Sequence, residues 1–118
     1  MSSGELVRTA LYEEHVALGA NIVDFHGFEL PIWYSNIKEE HLATRFGAGM
    51  FDVSHMGTFR FTGPEVKQWL ETLATQRVTS IPDGRCAYTH FLDSDGFIID
   101  DMIFAIVSEQ EILGVPNA

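Results

Sequence analysis

Two adjacent carboxylates, Asp100 and Asp101, stand inside "GFIIDDMIFAIV" (96–107), a run otherwise apolar enough for a buried strand. A carboxylate in apolar surroundings is costly unless it is paired or hydrogen-bonded. Each therefore needs a donor: a backbone N–H, a side chain or a bound ligand. An aspartate facing a ligand pocket can hold a ring N–H or steady a developing cation. Alternation puts Phe97, Ile99, Asp101, Ile103, Ala105 and Val107 on one face and Ile98, Asp100, Met102, Phe104 and Ile106 on the other. Both faces are apolar, so the strand is expected to be covered on both sides, with one carboxylate on each. Tyr88, on the preceding strand pattern, offers a wall or a hydroxyl nearby. The residues alone leave both readings of the aspartates open, loop-binding or ligand-facing.

The other reactive residue types form weaker patterns. His15, His26, His41, His55 and His90 make no HxH, HxxxH or HExxH spacing, so no metal site is expected. "DSDG" (93–96) lacks the ligand spacing of a calcium loop and reads as a turn. No glycine pattern cradles a phosphate. Cys86 carries no reactive signature and reads as a small buried residue. "FDVSHMG" holds Asp52, Ser54 and His55 together, but in a strand His55 points away from the other two, which argues against a hydrolase relay.

The elements that must position these groups follow from periodicity. Residues 9–18 have helical spacing at Leu11, His15 and Leu18, with Gly19 as a stop. The aromatic stretch 25–36, broken by Gly27 and Pro31, reads as loop or short extended pieces. Asn36 with Glu39 opens a helix that ends at Gly47. Residues 50–63 alternate as a half-buried strand kinked at Gly57, and Thr62 with Glu65 makes a capping box before a helix carrying Val66, Trp69, Leu70 and Leu73. Strands are expected over 86–92, 97–107 and 111–116. The order α, α, β, α, β, β, β gives an α+β fold, an antiparallel sheet with flanking helices. A sub-boundary is expected near 48–50. The carboxyl-terminal "GVPNA" stops directly after a strand, which reads as a chain cut short and as an exposed strand edge open to self-association.

Composition bounds the function. The 118 residues suffice for one real core, and 46% hydrophobic with 20% charged residues is an ordinary globular balance. A formal net charge of −10, without a basic cluster, argues against nucleic acid and anionic membrane as partners. "MSSGELVRTA" has no apolar signal region, no run reaches the length of a membrane span, and a single cysteine fits a reducing compartment; a cytoplasmic protein is expected.

Taken together, "ALYEEHVALGANIVDFHGFELPIWYSNIKEEHLATR", "GMFDVSHMG", "GPEVKQWLETL" and "DGFIIDDMI" resemble the amino-terminal third of the glycine-cleavage T-protein family, the aminomethyltransferases. The resemblance runs from about Thr9 to Ala118 and implies that residues 1–118 are part of a folate-binding aminomethyltransferase domain. Family members are longer, a cloverleaf of domains around a folate channel. They move a one-carbon unit from the aminomethyl-lipoyl arm of the H-protein to tetrahydrofolate and release ammonia. By position the resemblance makes Asp101 the carboxylate beside N10 of the folate, places Met56 and Tyr88 near the pterin, and matches Asn117 to a folate-contacting asparagine. It implies tetrahydrofolate as co-substrate, the lipoylated H-protein as partner, no metal, and a fragment inactive alone. Asp100 would be structural. Ala105 departs from a position often occupied by Tyr in relatives, and "GVPNA" from the usual "VVNA". The alternatives within the same resemblance are a folate-binding relative serving iron–sulfur assembly, a folate-dependent demethylase, and a non-catalytic interaction fragment.

Overall fold

The computed structural model describes residues 5–118; Met1–Gly4, the opening of the stretch without an apolar signal region, lie outside the described residues. Packing divides the chain between His55 and Met56. Helices and antiparallel strand pairs mix as the α+β pattern requires, but in two sheets rather than one.

The first unit holds β1 (Val7–Arg8), α1 (Tyr12–Ala17), β2 (Asn21–Phe25), β3 (Phe28–Trp33) and α2 (Ile37–Phe46). Its sheet runs β1-β3-β2. Of the two readings of the aromatic stretch, short extended pieces is the one that holds: β2 and β3 form a hairpin in which Phe25 faces Phe28 across His26-Gly27. His26 and Gly27 have φ of 53° and 90°, the geometry of the two-residue turn whose twist matches paired strands. The Asp24 carboxylate accepts from Gly27 N–H at 2.9 Å and fixes that turn. Pro31 is tolerated because β1 pairs only with Phe28 and Glu29, and because the β2–β3 register shifts at Asn21/Ile22, where Ile22 meets Pro31.

α1 ends as expected at Gly19, with Gly19 N–H bonded to Val16 O and Ala20 N–H to His15 O. Asn36 caps α2, accepting from Glu39 N–H at 2.9 Å. Glu40 adds two bonds, accepting from Tyr34 and Ser35 N–H at 2.6 and 2.7 Å. Leu30 is the one buried hydrophobic side chain among the described residues of this unit.

The second unit holds β4 (Phe59–Thr62), α3 (Val66–Glu71), a 3-10 turn (Val78–Ser80), β5 (Cys86–Leu92), β6 (Ile98–Ser108) and β7 (Glu111–Pro116). Its sheet is antiparallel, ordered β4-β7-β6-β5. Val66 and Leu70 of α3 pack with Val78, Met102, Phe104, Ile106 and Ile112 into one core. Gly114 of β7 lies where a Cβ would meet Met102 Sδ at 2.5 Å and Phe61 Cε2 at 2.8 Å, so only glycine lets those side chains close over the strand.

Four expectations are corrected here. Residues 50–58 are not strand; β4 begins only at Phe59. The Thr62/Glu65 capping box does not form: Gly63 turns the chain at φ 155° and Glu65 stands at the cap without a side-chain bond. The third helix face buries Val66, Lys67 and Leu70, while Trp69 and Leu73 are about half exposed. Lys67 can be buried because its ammonium donates to Glu109 Oε1 at 2.7 Å, Ile81 O at 3.1 Å and Asp83 Oδ1 at 3.4 Å.

The fourth correction concerns the carboxyl-terminal strand. β7 lies inside the sheet, between β4 and β6, and offers no free edge. The β5 edge is blunted too, because Thr75 N–H donates to His90 O and Gln76 Nε2 donates to Tyr88 O.

Candidate functional site

Asp100 and Asp101 are positioned by the β5–β6 hairpin. Asp93 opens its turn by accepting from both Asp95 and Phe97 N–H at 2.9 Å. Beyond the turn the register shifts between Phe91 and Leu92, leaving Ile99 without a partner. The ladder then pairs Phe91 with Asp100, His90 with Asp101 and Tyr88 with Ile103. Asp101 thus shares a face with Tyr88, His90, Ile103 and Ala105, and Asp100 shares the face of Met102, Phe104 and Ile106.

The two faces differ. Met102, Phe104 and Ile106 are buried, whereas Ile103 is 45% and Tyr88 53% exposed. The expectation of a strand covered on both sides fails: within this chain the Asp101 face is open. Cys86 lies on that face and is exposed, not buried.

Both carboxylates are half-buried and find their donor in Asn117. Its Nδ2 donates to Asp101 Oδ1 at 2.7 Å and to Asp100 Oδ1 at 3.0 Å. The cause lies in the strand register: Met102 pairs with Pro116, and one step further Asn117 falls opposite Asp101. Tyr88 completes the group. The adjacent Asp101 carboxylate first, then burial and the charge of Asp100, hold its pKa above the usual tyrosine value. His90 packs edge-on against Tyr88, ring centroids 4.9 Å apart.

Of the four residues expected at a site, the structure brings Asp101, Tyr88 and Asn117 together. Met56 is half-buried ahead of β4, next to Gly57, whose backbone packs on Pro116 beside Asn117. No group of three or more His, Cys, Asp or Glu side chains fit to hold a metal occurs among the described residues.

Sequence reasoning missed a second cluster, in the first unit. His15 Nε2 lies 2.7 Å from Asp52 Oδ2, and Tyr34 Oη lies 2.8 Å from His15 Nδ1. Asp52 Oδ1 also accepts from Ser54 N–H at 2.9 Å and from its hydroxyl at 2.6 Å. Burial would raise the Asp52 pKa, but the Ser54 hydroxyl and N–H and then His15 outweigh it and hold the carboxyl at about 2. So Asp52 does meet Ser54, through a turn rather than a strand, and its histidine is His15 rather than His55. Tyr34 and Asp52 line a cleft of about 590 Å³ with Ile32, Ile37, Glu40 and Phe51. The one available signal was His15 itself, a polar residue in line with Leu11 and Leu18 on the helix face read as apolar. No spacing rule links residues 15, 34 and 52.

Comparison with known proteins bears on the whole chain. Residues 11–118 match the family model described as the GCVT N-terminal domain. An aminomethyltransferase of a Thermotoga species is 48% identical over 111 residues, covering 94% of this chain and 30% of that protein. The aminomethyltransferase of Streptomyces coelicolor is 43% identical over 118 residues, covering 100% of this chain and 32% of that protein. The crystal structure of the glycine cleavage system aminomethyltransferase T from Bartonella henselae superimposes with a TM-score of 0.90 at 32% identity, covering 96% of this chain and 32% of that one. The chain spans about a third of the length of these relatives. It belongs to the glycine-cleavage T-protein family, the aminomethyltransferases, and corresponds to the amino-terminal third.

Proposed function

We propose that this chain contributes the Asp101 side of a tetrahydrofolate site to an aminomethyltransferase of the glycine cleavage system. The reading rests on one observation above all. Asp101, the residue that the family resemblance places beside N10 of the folate, stands on an open sheet face with Tyr88 and is held by Asn117.

The chemistry fits that arrangement. N10 of tetrahydrofolate attacks a carbon that becomes iminium-like as ammonia leaves the aminomethyl-lipoyl arm. A carboxylate beside N10 holds its N–H in the attacking direction and stabilises the growing positive charge. The exposed Tyr88 ring supplies an aromatic surface for a planar heterocycle. Met56, half-buried ahead of β4, contributes a further apolar contact to the pterin.

The lipoylated H-protein as donor of the one-carbon unit, and a cytoplasmic setting, belong to the same proposal. The first is supported by the family of the relatives. The second is supported by the single cysteine and by the absence, among the described residues, of a helix long and apolar enough to cross a membrane.

The test is Asp101→Asn in a protein of the relatives' full length. It keeps the shape and removes the charge. Turnover is expected to fall by about a hundredfold or more, with a modest loss in folate affinity. Near-wild-type turnover would refute the assignment.

A further inference from the structure

Asp100 and Asp101 sit on opposite faces of β6, yet one amide nitrogen reaches both. Asp100 Oδ1 accepts from Asn117 Nδ2 at 3.0 Å and from the backbone N–H of Asp101 at 2.8 Å. The same Nδ2 donates to Asp101 Oδ1 at 2.7 Å. Two ionised carboxylates are acceptors only, so Asn117 can meet them only with its NH2 group, one hydrogen to each. Its carbonyl oxygen is thereby turned away from both, and no hydrogen bond reaches it among the described residues.

We propose that Asp100 is a positioning residue for the Asp101 site, resting on the reading of that site given above. Asp100 performs three tasks with one oxygen. It fixes the orientation of the Asn117 amide, it ties down the peptide that carries Asp101, and through Asn117 it holds the Asp101 carboxylate in one rotamer. Without it the amide loses one of its two acceptors, so the flipped orientation, in which its carbonyl faces and repels the Asp101 carboxylate, is less strongly excluded. The acidic doublet is then one device: one carboxylate meets the ligand, and its neighbour sets the geometry with which it does so.

The experiment uses three variants of this chain, Asp100→Ala, Asp100→Asn and Asp101→Asn. The side-chain amide signals of Asn117 are followed by nuclear magnetic resonance, and tetrahydrofolate is titrated into each. In the parent, the Asn117 NH2 protons exchange with water more slowly than those of Asn36, whose Nδ2 makes no such pair of bonds. Asp100→Ala speeds that exchange several-fold and weakens tetrahydrofolate binding at least about tenfold, the loss of roughly one charged hydrogen bond. Asp100→Asn keeps an acceptor oxygen at the same place and restores most of both. A purely structural Asp100 would instead lower the melting temperature and leave the Asn117 signals of the folded fraction unchanged, which overturns the proposal. Unaltered tetrahydrofolate affinity in a folded Asp100→Ala chain overturns it as well. If the parent itself takes up no tetrahydrofolate, the Asn117 signals alone decide whether Asp100 sets the amide, and the folate reading is decided by Asp101→Asn in a protein of the relatives' full length.

Discussion

The two units solve the problem of stability differently. The second is held by a contiguous apolar core of seven buried side chains, with Phe104 at its centre and fully excluded from solvent. The first buries Leu30 alone among its described hydrophobic residues, and Ile37, Phe46 and Phe51 are more than half exposed. In place of a core it has the Tyr34–His15–Asp52 cluster, which ties together segments far apart in sequence. The lesson is that the polar groups answer different needs. In the first unit the buried carboxylate is a structural anchor, satisfied wholly by protein donors. In the second, Asp101 takes one protein donor from Asn117 and stands on an open face, the arrangement expected of a carboxylate with work left to do.

Perturbations should break this comparison in a definite order. Each unit contains one tryptophan, Trp33 in the first and Trp69 in the second, so fluorescence reports on each. The largest effect belongs to the second unit: Phe104→Ala opens a cavity in a closed core and should cost about 3–5 kcal/mol in denaturant unfolding followed at Trp69. A loss below about 1 kcal/mol would mean that the core is not the main support.

Next comes Asp52 in the first unit. Its folded-state pKa, about 2, lies below the ordinary 3.8, so its contribution is present above pH 4 and disappears as pH falls toward 2. That contribution is on the order of 2 kcal/mol. Asp52→Asn should remove it at neutral pH and flatten the acid limb seen at Trp33. An unchanged acid limb in the variant would move the titration to another group.

A smaller effect is expected at Lys67. The Glu109 hydrogen bond first of all holds its ammonium above the ordinary lysine value, against the opposing effect of burial. Glu109 and Asp83 are themselves 73% and 52% exposed, so water can replace the lysine when it is removed. Lys67→Met, which retains the apolar bulk, should cost about 1–2 kcal/mol. A loss as large as that of Phe104→Ala would place the ion cluster, not the core, at the centre of the second unit. The smallest effect is Asn36→Ala, which frees the Glu39 N–H at the start of α2 and should cost about 1 kcal/mol.

How much of this was legible beforehand differs between the same two regions. In the second unit, period-2 alternation found β5, β6 and β7 nearly to the residue, and the doublet of aspartates singled out the candidate site without help from any other element. What alternation could not show was that one face of β6 lies open, since Ile103 and Val107 look as apolar as Met102 and Ile106. Nor could it place β7 in the middle of the sheet, because strand order depends on pairing across distant segments. In the first unit Gly27 and Pro31 leave the choice between loop and short extended pieces open, because neither the turn at His26-Gly27 nor the β2–β3 register shift has a local sequence signal. His15 and Asp52 meet only through the fold, and local spacing carries no trace of it.

The measurement that bears most directly on the account is a calorimetric titration of tetrahydrofolate into the 118-residue chain, with Asp101→Asn beside it. The account predicts saturable binding in the parent and weaker binding in the variant. A variant that binds it as well as the parent would contradict the claim that the open face around Asp101 is the part of the folate site carried by this chain.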